Sequence, residues 1–282
     1  MPSRIRAFLF LLGLGSLGSA SLAYGQEGQP LFSRLGIDPI NGPNPQDVSV
    51  SLQILFLLTI LSLLPSIAIM TTSFIRISIV LGLVRRAIGT QQTPSNEVIV
   101  GLSLFMTFFI MTPVFEKMNQ SAIQPYLRQE LKGLNPGETD AYGKPVSEYT
   151  PPFYVMLQRA LIPLRNFMWE QIGVEGANDV AVFMSMARME KPNTPGDVPT
   201  HVLIPAFMVS ELKKAFMMGF MIFIPFLILD LVTSSVLISM GMFQLPPAFI
   251  SLPFKILLFV LVDGWSVLAR ALGTSFYQNM AG

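Results

Sequence analysis

Long apolar runs alternate with shorter polar segments along most of the chain. Residues 48–75 and 98–115 contain no charged side chain. A helix needs about 20 such residues to cross a bilayer, so both runs have suitable lengths. Between them, residues 87–97 carry the Gly, Pro and Asn that are typical of a turn. The pattern predicts a first apolar helical hairpin over residues 50–115.

The C-terminal part has the same organisation without a close sequence repeat. From residue 202 the chain is apolar again, and residues 241–247 are its best turn signal. We therefore predict a second apolar hairpin over residues 202–282. Four prolines lie within the apolar runs: Pro65, Pro113, Pro225 and Pro253. Membrane helices tolerate proline where neighbouring helices or water form hydrogen bonds to the carbonyl that proline leaves unpaired. We therefore predict kinked helices.

Residues 116–201 mix acidic and basic side chains and contain several Pro–Gly loop signals. Apolar positions at helical spacing predict amphipathic helices over residues 153–172 and 177–189. The predicted fold is thus an all-α membrane protein, in which two apolar helical hairpins flank a small polar helical module.

The first residues have the pattern of a secretory signal peptide. Arg4 and Arg6 precede an apolar stretch over residues 7–22, and Gly25 completes a small-residue cleavage site before Gln26. We expect residues 1–25 to be removed, the alternative being an uncleaved first membrane helix. Residues 26–49 are rich in Pro and Gly and are predicted to be a linker.

Basic residues predict the orientation of the hairpins. Arg85 and Arg86 lie at the first turn, and cytoplasmic loops are enriched in such residues. This places the turn in the cytoplasm and the polar module outside it. Lys213 and Lys214 fit this orientation less well, because they would also lie outside.

Composition agrees with a membrane protein and excludes several classes of function. Hydrophobic residues make up 51% of the chain and charged residues 12%, about half the average for globular proteins. The net charge of +1 gives no indication of a nucleic-acid partner. Without cysteine, the chain has no disulfide, no thiolate metal site and no cysteine nucleophile.

The search for catalytic groups is negative. His201 is the only histidine, so a multi-histidine metal site cannot form, and we assign it to no triad, expecting instead a polar residue at a membrane edge. The segment 137–144 has the wrong spacing for a phosphate loop, and Pro145 replaces the required hydroxyl residue. Asp230 and Asp263 lack the glycine-rich surroundings of an aspartyl protease pair. We predict neither enzymatic activity nor a cofactor.

Four charges interrupt the apolar runs: Arg76, Asp230, Lys255 and Asp263. Each costs at least ~2.5–3.5 kcal/mol at bilayer depth, so they should either pair within a protein bundle or line a wet pore as an ion relay. With a turn near Gln244, Asp230 would lie about 21 Å and Lys255 about 16 Å from the turn along the two helices. The two charges are therefore expected at similar depth.

Two further patterns concern the second hairpin. Asp263 and Arg270 are seven residues apart and are expected on one helix face. Methionine is frequent, with 17 residues, and Met240 and Met242 lie at the turn. Because methionine adapts to irregular partners, these two favour a flexible seal at the hairpin tip.

Several motifs in this order resemble the FliP family of type III export-gate proteins. The resemblance covers about residues 50–280 apart from residues 120–150. The matching segments are residues 61–65 (LSLLP), 70–77 (MTTSFIRI), 86–92 (RAIGTQQ), 203–207 (LIPAF), 210–213 (SELK), 225–227 (PFL), 252–255 (LPFK) and 261–265 (LVDGW).

The resemblance implies a non-enzymatic role in the bacterial inner membrane, at the flagellar basal body. Proteins of this family assemble with further copies of themselves and with FliQ-like and FliR-like subunits into a helical export gate. The gate passes unfolded flagellar proteins and sits largely above the membrane plane. A virulence secretion gate and an ion or small-solute transporter remain alternatives; the signal peptide and linker favour the flagellar form.

The resemblance also assigns a pore seal to the second turn. The family typically has three methionines after the glycine that matches Gly241, and here those positions are Met242, Phe243 and Gln244. Gln244 is polar and departs from the pattern. With this assignment, the four charges in the apolar runs are expected to be contacts between gate subunits.

Overall fold

The computed structural model describes residues 45–90, 93–190, 192, 194–242 and 244–280. Four sequence predictions therefore lie wholly or partly outside the described residues: the signal peptide, its cleavage site at Gly25 and Gln26, residues 26–44 of the linker, and Phe243. The described residues form α-helices joined by turns, with two isolated β-bridges in the loop between residues 134 and 150. The all-α fold predicted from the sequence is confirmed.

Nine α-helices lie within the described ranges. A π-helical turn, Asn119–Ile123, connects α3 to α4, and a 3₁₀ turn, Pro195–Asp197, precedes α7. The helices are α1 (Pro45–Met70), α2 (Phe74–Ile88), α3 (Asn96–Met118), α4 (Gln124–Leu127), α5 (Pro152–Ile172), α6 (Ala177–Met186), α7 (Thr200–Ser239), α8 (Pro247–Leu261) and α9 (Gly264–Met280).

The predicted elements of the polar module agree closely with the structure. Helix α5 starts one residue before the predicted segment 153–172 and ends with it, and α6 covers most of the segment 177–189. Residues 45–49 of the predicted linker are instead helical. Proline fits the first turn of a helix, where its missing N–H is not needed, so Pro45 begins α1 without penalty.

The described chain divides after Ser62 into two compact units. In the first unit, the apolar side chains of α1 from Leu52 to Leu61 are exposed. In the second, α7 packs against α2, α5, α6 and α8, while α3 packs against α2 and α5. One continuous apolar core draws on residues such as Val84, Met111 and Phe207 and joins both predicted hairpins to the polar module.

The sharp breaks in the helical segments do not lie at prolines. Helices α1, α3, α7 and α8 continue past their internal prolines, whereas the chain breaks at residues 71–73 and 262–263. Helices α8 and α9 differ in direction by 62°. At this break Asp263 has a φ of 51°. A Cβ on Gly264 would lie 2.3 Å from the ring of Phe259, so any larger residue there requires that ring to move.

This break corrects one expectation. Asp263 lies between α8 and α9, and Arg270 lies within α9, so the two do not share a helix face. The helical spacing failed as a guide because a left-handed residue interrupts the run, and aspartate is among the side chains that tolerate this conformation.

Long apolar faces remain uncovered in the described chain. By length and composition, two stretches suffice to cross a membrane, Asn96–Leu127 and Thr200–Ser239. The number rises to four if each broken pair, α1 with α2 and α8 with α9, counts as one span. Side chains such as Phe105, Phe220 and Phe249 are more than two-thirds exposed, so lipid or other subunits must cover them.

Candidate functional site: the buried charges and the hairpin tip

Arg76 lies in the first turn of α2 and is the largest fully buried side chain. Its guanidinium forms a bidentate salt bridge with the carboxylate of Glu211 in α7: Nε donates to Oε2 at 2.9 Å, and Nη2 donates to Oε1. Arg76 and Glu211 are 1% and 0% exposed. The pair therefore ties α2 to α7 without contact with solvent.

Further partners complete the surroundings of the Arg76 guanidinium. Nη2 also donates to Oε1 of Gln171 at 3.0 Å, and Nη1 donates to Oγ of Ser275 at 3.1 Å. The Phe276 ring lies beneath the guanidinium, 3.8 Å from Cζ to the ring centroid. Lys214 donates to the backbone carbonyl of Gln171. Four helices, α2, α5, α7 and α9, thus meet at one buried polar cluster.

The chemistry of this cluster is structural. The guanidinium of Arg76 is bonded to side chains of three other helices, and the planar fork of arginine matches a carboxylate bidentately. Sequence reasoning identified Arg76 as a costly charge but missed Glu211, Gln171 and Ser275. Lys213 and Lys214 follow Glu211 in the sequence. Such a mixture of opposite charges is typical of a solvent-exposed helix face, so the sequence does not indicate that Glu211 is buried.

Asp230 and Lys255 also meet within the chain. Nζ of Lys255 lies 2.7 Å from Oδ2 of Asp230, and Oγ of Ser251 donates to Oδ1 at 2.7 Å. The Lys255 side chain is 9% exposed, whereas that of Asp230 is 39% exposed. The structure thus brings together the two charges that the hairpin geometry predicts at similar depth, and it leaves part of the carboxylate open.

The open side of this pair faces a cavity of about 510 Å³ between α8 and the end of α2. Gly89 ends α2 in the left-handed region, with a φ of 87°, which glycine adopts without strain. Phe249, Leu252 and Pro247 supply apolar walls. The cavity is thus lined by apolar side chains together with the Asp230–Lys255 pair.

The predicted turn of the second hairpin is confirmed. Gly241 has a φ of 75°, and the N–H of Met242 bonds the carbonyl of Leu237 at 3.0 Å, as in a Schellman motif. Pro247 then starts α8 at a position that favours proline. Met242 and Gln244 are both exposed at this tip. The tip therefore projects side chains away from the core.

The remaining predicted site residue is isolated. Asp263 is exposed and forms no ion pair with any residue that the structure describes. Within the same ranges, no group of three or more His, Asp or Glu side chains is arranged to hold a metal ion.

The polar module has its own buried cation. Arg165 of α5 donates to Oγ1 of Thr200 at 2.5 Å and to the carbonyl of Val198 at 2.6 Å, which fixes the start of α7. Its guanidinium lies 5.3 Å from the centroid of the Tyr142 ring. Burial raises the pKa of Tyr142 above its usual value, against the opposing charge of Arg165.

Comparison with known proteins gives a consistent result. The FliP family profile matches residues 57–272. The flagellar biosynthetic protein FliP of Bacillus subtilis is 45% identical over 85% of this chain and 98% of its own length. The protein of the same name from Aquifex aeolicus is 46% identical over 80% of this chain and 86% of its own, and that from Caulobacter vibrioides is 45% identical over 82% and 78%.

Proposed function

The chain belongs to the FliP family, and on that basis we propose that it is a subunit of the flagellar type III protein export gate. In this role it forms part of the conduit through which unfolded flagellar subunits leave the cytoplasm. The names of its relatives favour the flagellar system over a virulence secretion system. The chain contributes a passage and no catalytic step.

The exposed apolar surface of α7 and α8 is the observation that carries this proposal. Buried charges fix the first part of α7, whereas the second part, from Phe216 to Ile238, exposes most of its large apolar side chains. A monomer in water cannot leave so much apolar surface open. This surface fits a helical hairpin that packs against neighbours around a passage.

The proposed partners follow from the same surface. Further copies of this chain, FliQ-like and FliR-like subunits and membrane lipid would cover the apolar faces, while exported flagellar proteins would pass the tip. We place the assembly in the bacterial inner membrane, at the flagellar basal body, with multiple passes and an extracytoplasmic polar module. This orientation rests on Arg85 and Arg86, which lie in the last turn of α2.

Met242, Phe243 and Gln244 are proposed to close the passage. Met242 and Gln244 are exposed at the tip, just after the left-handed Gly241 that follows α7. Asp263, which is exposed, is the best candidate among the four charges for a contact between subunits. Arg76, Asp230 and Lys255 have partners within the chain, so their role in assembly is indirect, although the Asp230 side chain remains partly exposed.

Replacing Met242 and Phe243 together by Ala should make the closed gate leak ions, because smaller side chains leave an open constriction. The leak is measured as loss of membrane potential or as growth arrest in cells that express the variant. The control is Met186→Ala, an exposed methionine of α6 far from the tip in sequence. Ion permeability equal to that of the control would contradict the seal.

The function itself is tested by gene deletion in the chain's own host. Deletion should abolish the release of hook and filament proteins into the medium, and a plasmid copy should restore it. Continued release of these proteins from the deletion strain would rule out the export role. Loss of a solute uptake activity, with export unchanged, would point to a transporter.

A further inference from the structure

Polar side chains hold helix α8 against α7. Only two of the 15 residues of α8 are buried, and both are polar: Ser251 and Lys255. Oγ of Ser251 and Nζ of Lys255 each lie 2.7 Å from a carboxylate oxygen of Asp230 in α7. Large apolar side chains of α8, such as Phe249 and Val260, are more than two-thirds exposed. One carboxylate therefore holds the middle of this helix, and we call Asp230, Ser251 and Lys255 the polar clasp.

The two ends of α8 are suited to bending. Gly241 precedes α8 and Asp263 follows it, with left-handed φ values of 75° and 51°. A few residues at the ends of an element commonly absorb the change in backbone angles when that element swings. At the Asp263 end, the ring of Phe259 packs against those of Phe226 and Trp265, with centroids 6.4 and 5.2 Å apart. This end can therefore act as a pivot, and the polar clasp lies between it and the tip.

The cavity beside α8 leaves room for movement and gives the clasp access to water. Its volume of about 510 Å³ is many times the ~30 Å³ that one water molecule occupies. Ile88, Gly89 and Thr90 form the wall on the side of α2. The Asp230 side chain also lines the cavity and is 39% exposed. Water can therefore replace the partners of this carboxylate when the clasp opens.

A polar clasp suits a contact that must open and close again. Its opening exposes hydrogen-bonding groups that water satisfies, whereas the separation of an apolar contact exposes surface that water does not stabilise. The Arg76–Glu211 pair differs in this respect, because both residues are closed to solvent. That pair fixes α7 to α2, while the clasp leaves α8 free to separate from α7.

We propose that Ser251 and Lys255 are positioning residues that hold the gate tip closed through Asp230, a role that rests on the gate function proposed above. When the polar clasp opens, α8 swings about its Asp263 end, and the tip with Met242 moves with it. When the clasp forms again, the tip returns to the closed position.

Ser251 is the best place to test the clasp, because it bonds Asp230 without carrying a charge. Ser251→Thr keeps the hydroxyl, and Ser251→Val has the same shape as threonine without it. Hydrogen exchange, measured by mass spectrometry on the assembly purified in mild detergent, reports how often α8 swings. The amides of residues 241–242 and 262–263 donate to carbonyls of the preceding helical turn, and they exchange when these bonds break.

Ser251→Val should exchange about tenfold faster than Ser251→Thr in peptides that cover these amides, because a hydrogen bond to a charged group is lost. Exchange in α5 should stay the same in both variants. The matched control is Ser239→Ala, which removes an exposed hydroxyl that bonds carbonyls of its own helix. This control should exchange like the unmodified chain.

In cells, Ser251→Val should also raise the resting ion permeability, whereas Ser251→Thr and Ser239→Ala should not. Equal exchange in the Thr and Val variants would overturn the clasp, whatever the export activity. Faster exchange in Ser251→Val without any change in permeability would overturn its role in closing the gate. Failure of the gate function gives a different result: a deletion strain would still release flagellar proteins, while the exchange rates would still show whether the clasp holds α8.

Discussion

Replacing Glu211 by Gln should destabilise the fold by about 3–5 kcal/mol, the range measured when one partner of a buried ion pair is removed. The amide has nearly the same shape as the carboxylate but leaves the charge of Arg76 uncompensated where both residues are at most 1% exposed. Arg76 also donates hydrogen bonds to Gln171 of α5 and Ser275 of α9, so the packing of these two helices against α2 should weaken as well. Thermal unfolding in detergent and the amount of protein in membranes measure the effect.

Two variants make this prediction specific. Lys213→Gln lies two residues further along α7 and removes an exposed partner of Asp179, so its effect should stay below about 1 kcal/mol. The double replacement Arg76→Met with Glu211→Leu should recover part of the lost stability, because it leaves no unpaired charge. If Glu211→Gln unfolded at the same temperature as Lys213→Gln, the buried pair would not hold the helices together.

Replacing Gly219 by Val should lower the stability by about 3 kcal/mol, at the upper end for overpacked cores. Gly219 is buried where α7 crosses α2. A Cβ there would lie 2.2 Å from Cδ1 of Leu83 and 3.2 Å from its Cβ. The clash separates the two helices that the Arg76–Glu211 pair joins. A lower unfolding temperature and less protein in membranes should result.

Gly82→Val is the matched control on the facing helix α2. A Cβ at Gly82 meets no atom within 4 Å, so this change should alter stability by less than about 0.5 kcal/mol. Adding Leu83→Ala to Gly219→Val should restore much of the loss by making room. Equal stability of the Gly219→Val and Gly82→Val variants would show that α2 and α7 do not pack this closely.

Local sequence patterns predicted the local structure well. The amphipathic helices α5 and α6 follow from apolar positions at helical spacing, and the second turn follows from Gly241 and Pro247. These features depend on residues close together in the chain. The Asp230–Lys255 pair belongs here too, because a single tight turn sets the register between its two helices.

Features set by tertiary contacts could not be predicted in the same way. Glu211 is 135 residues from Arg76, and only the packing of α2 on α7 brings them together. The break at Asp263 lies at a residue with a φ of 51°, which the spacing of apolar and charged residues does not reveal. The two sharp breaks, at residues 71–73 and 262–263, do not coincide with the internal prolines and were not predicted. The coverage of the exposed apolar faces depends on other molecules.

The central claim is that this chain functions as one subunit of a larger export gate. Mass measurement of the gently solubilised complex tests it most directly. The account predicts a particle that contains several copies of this chain together with two small hydrophobic partners, covering the exposed faces of α7 and α8. A monomer, or a simple dimer without partners, would contradict it.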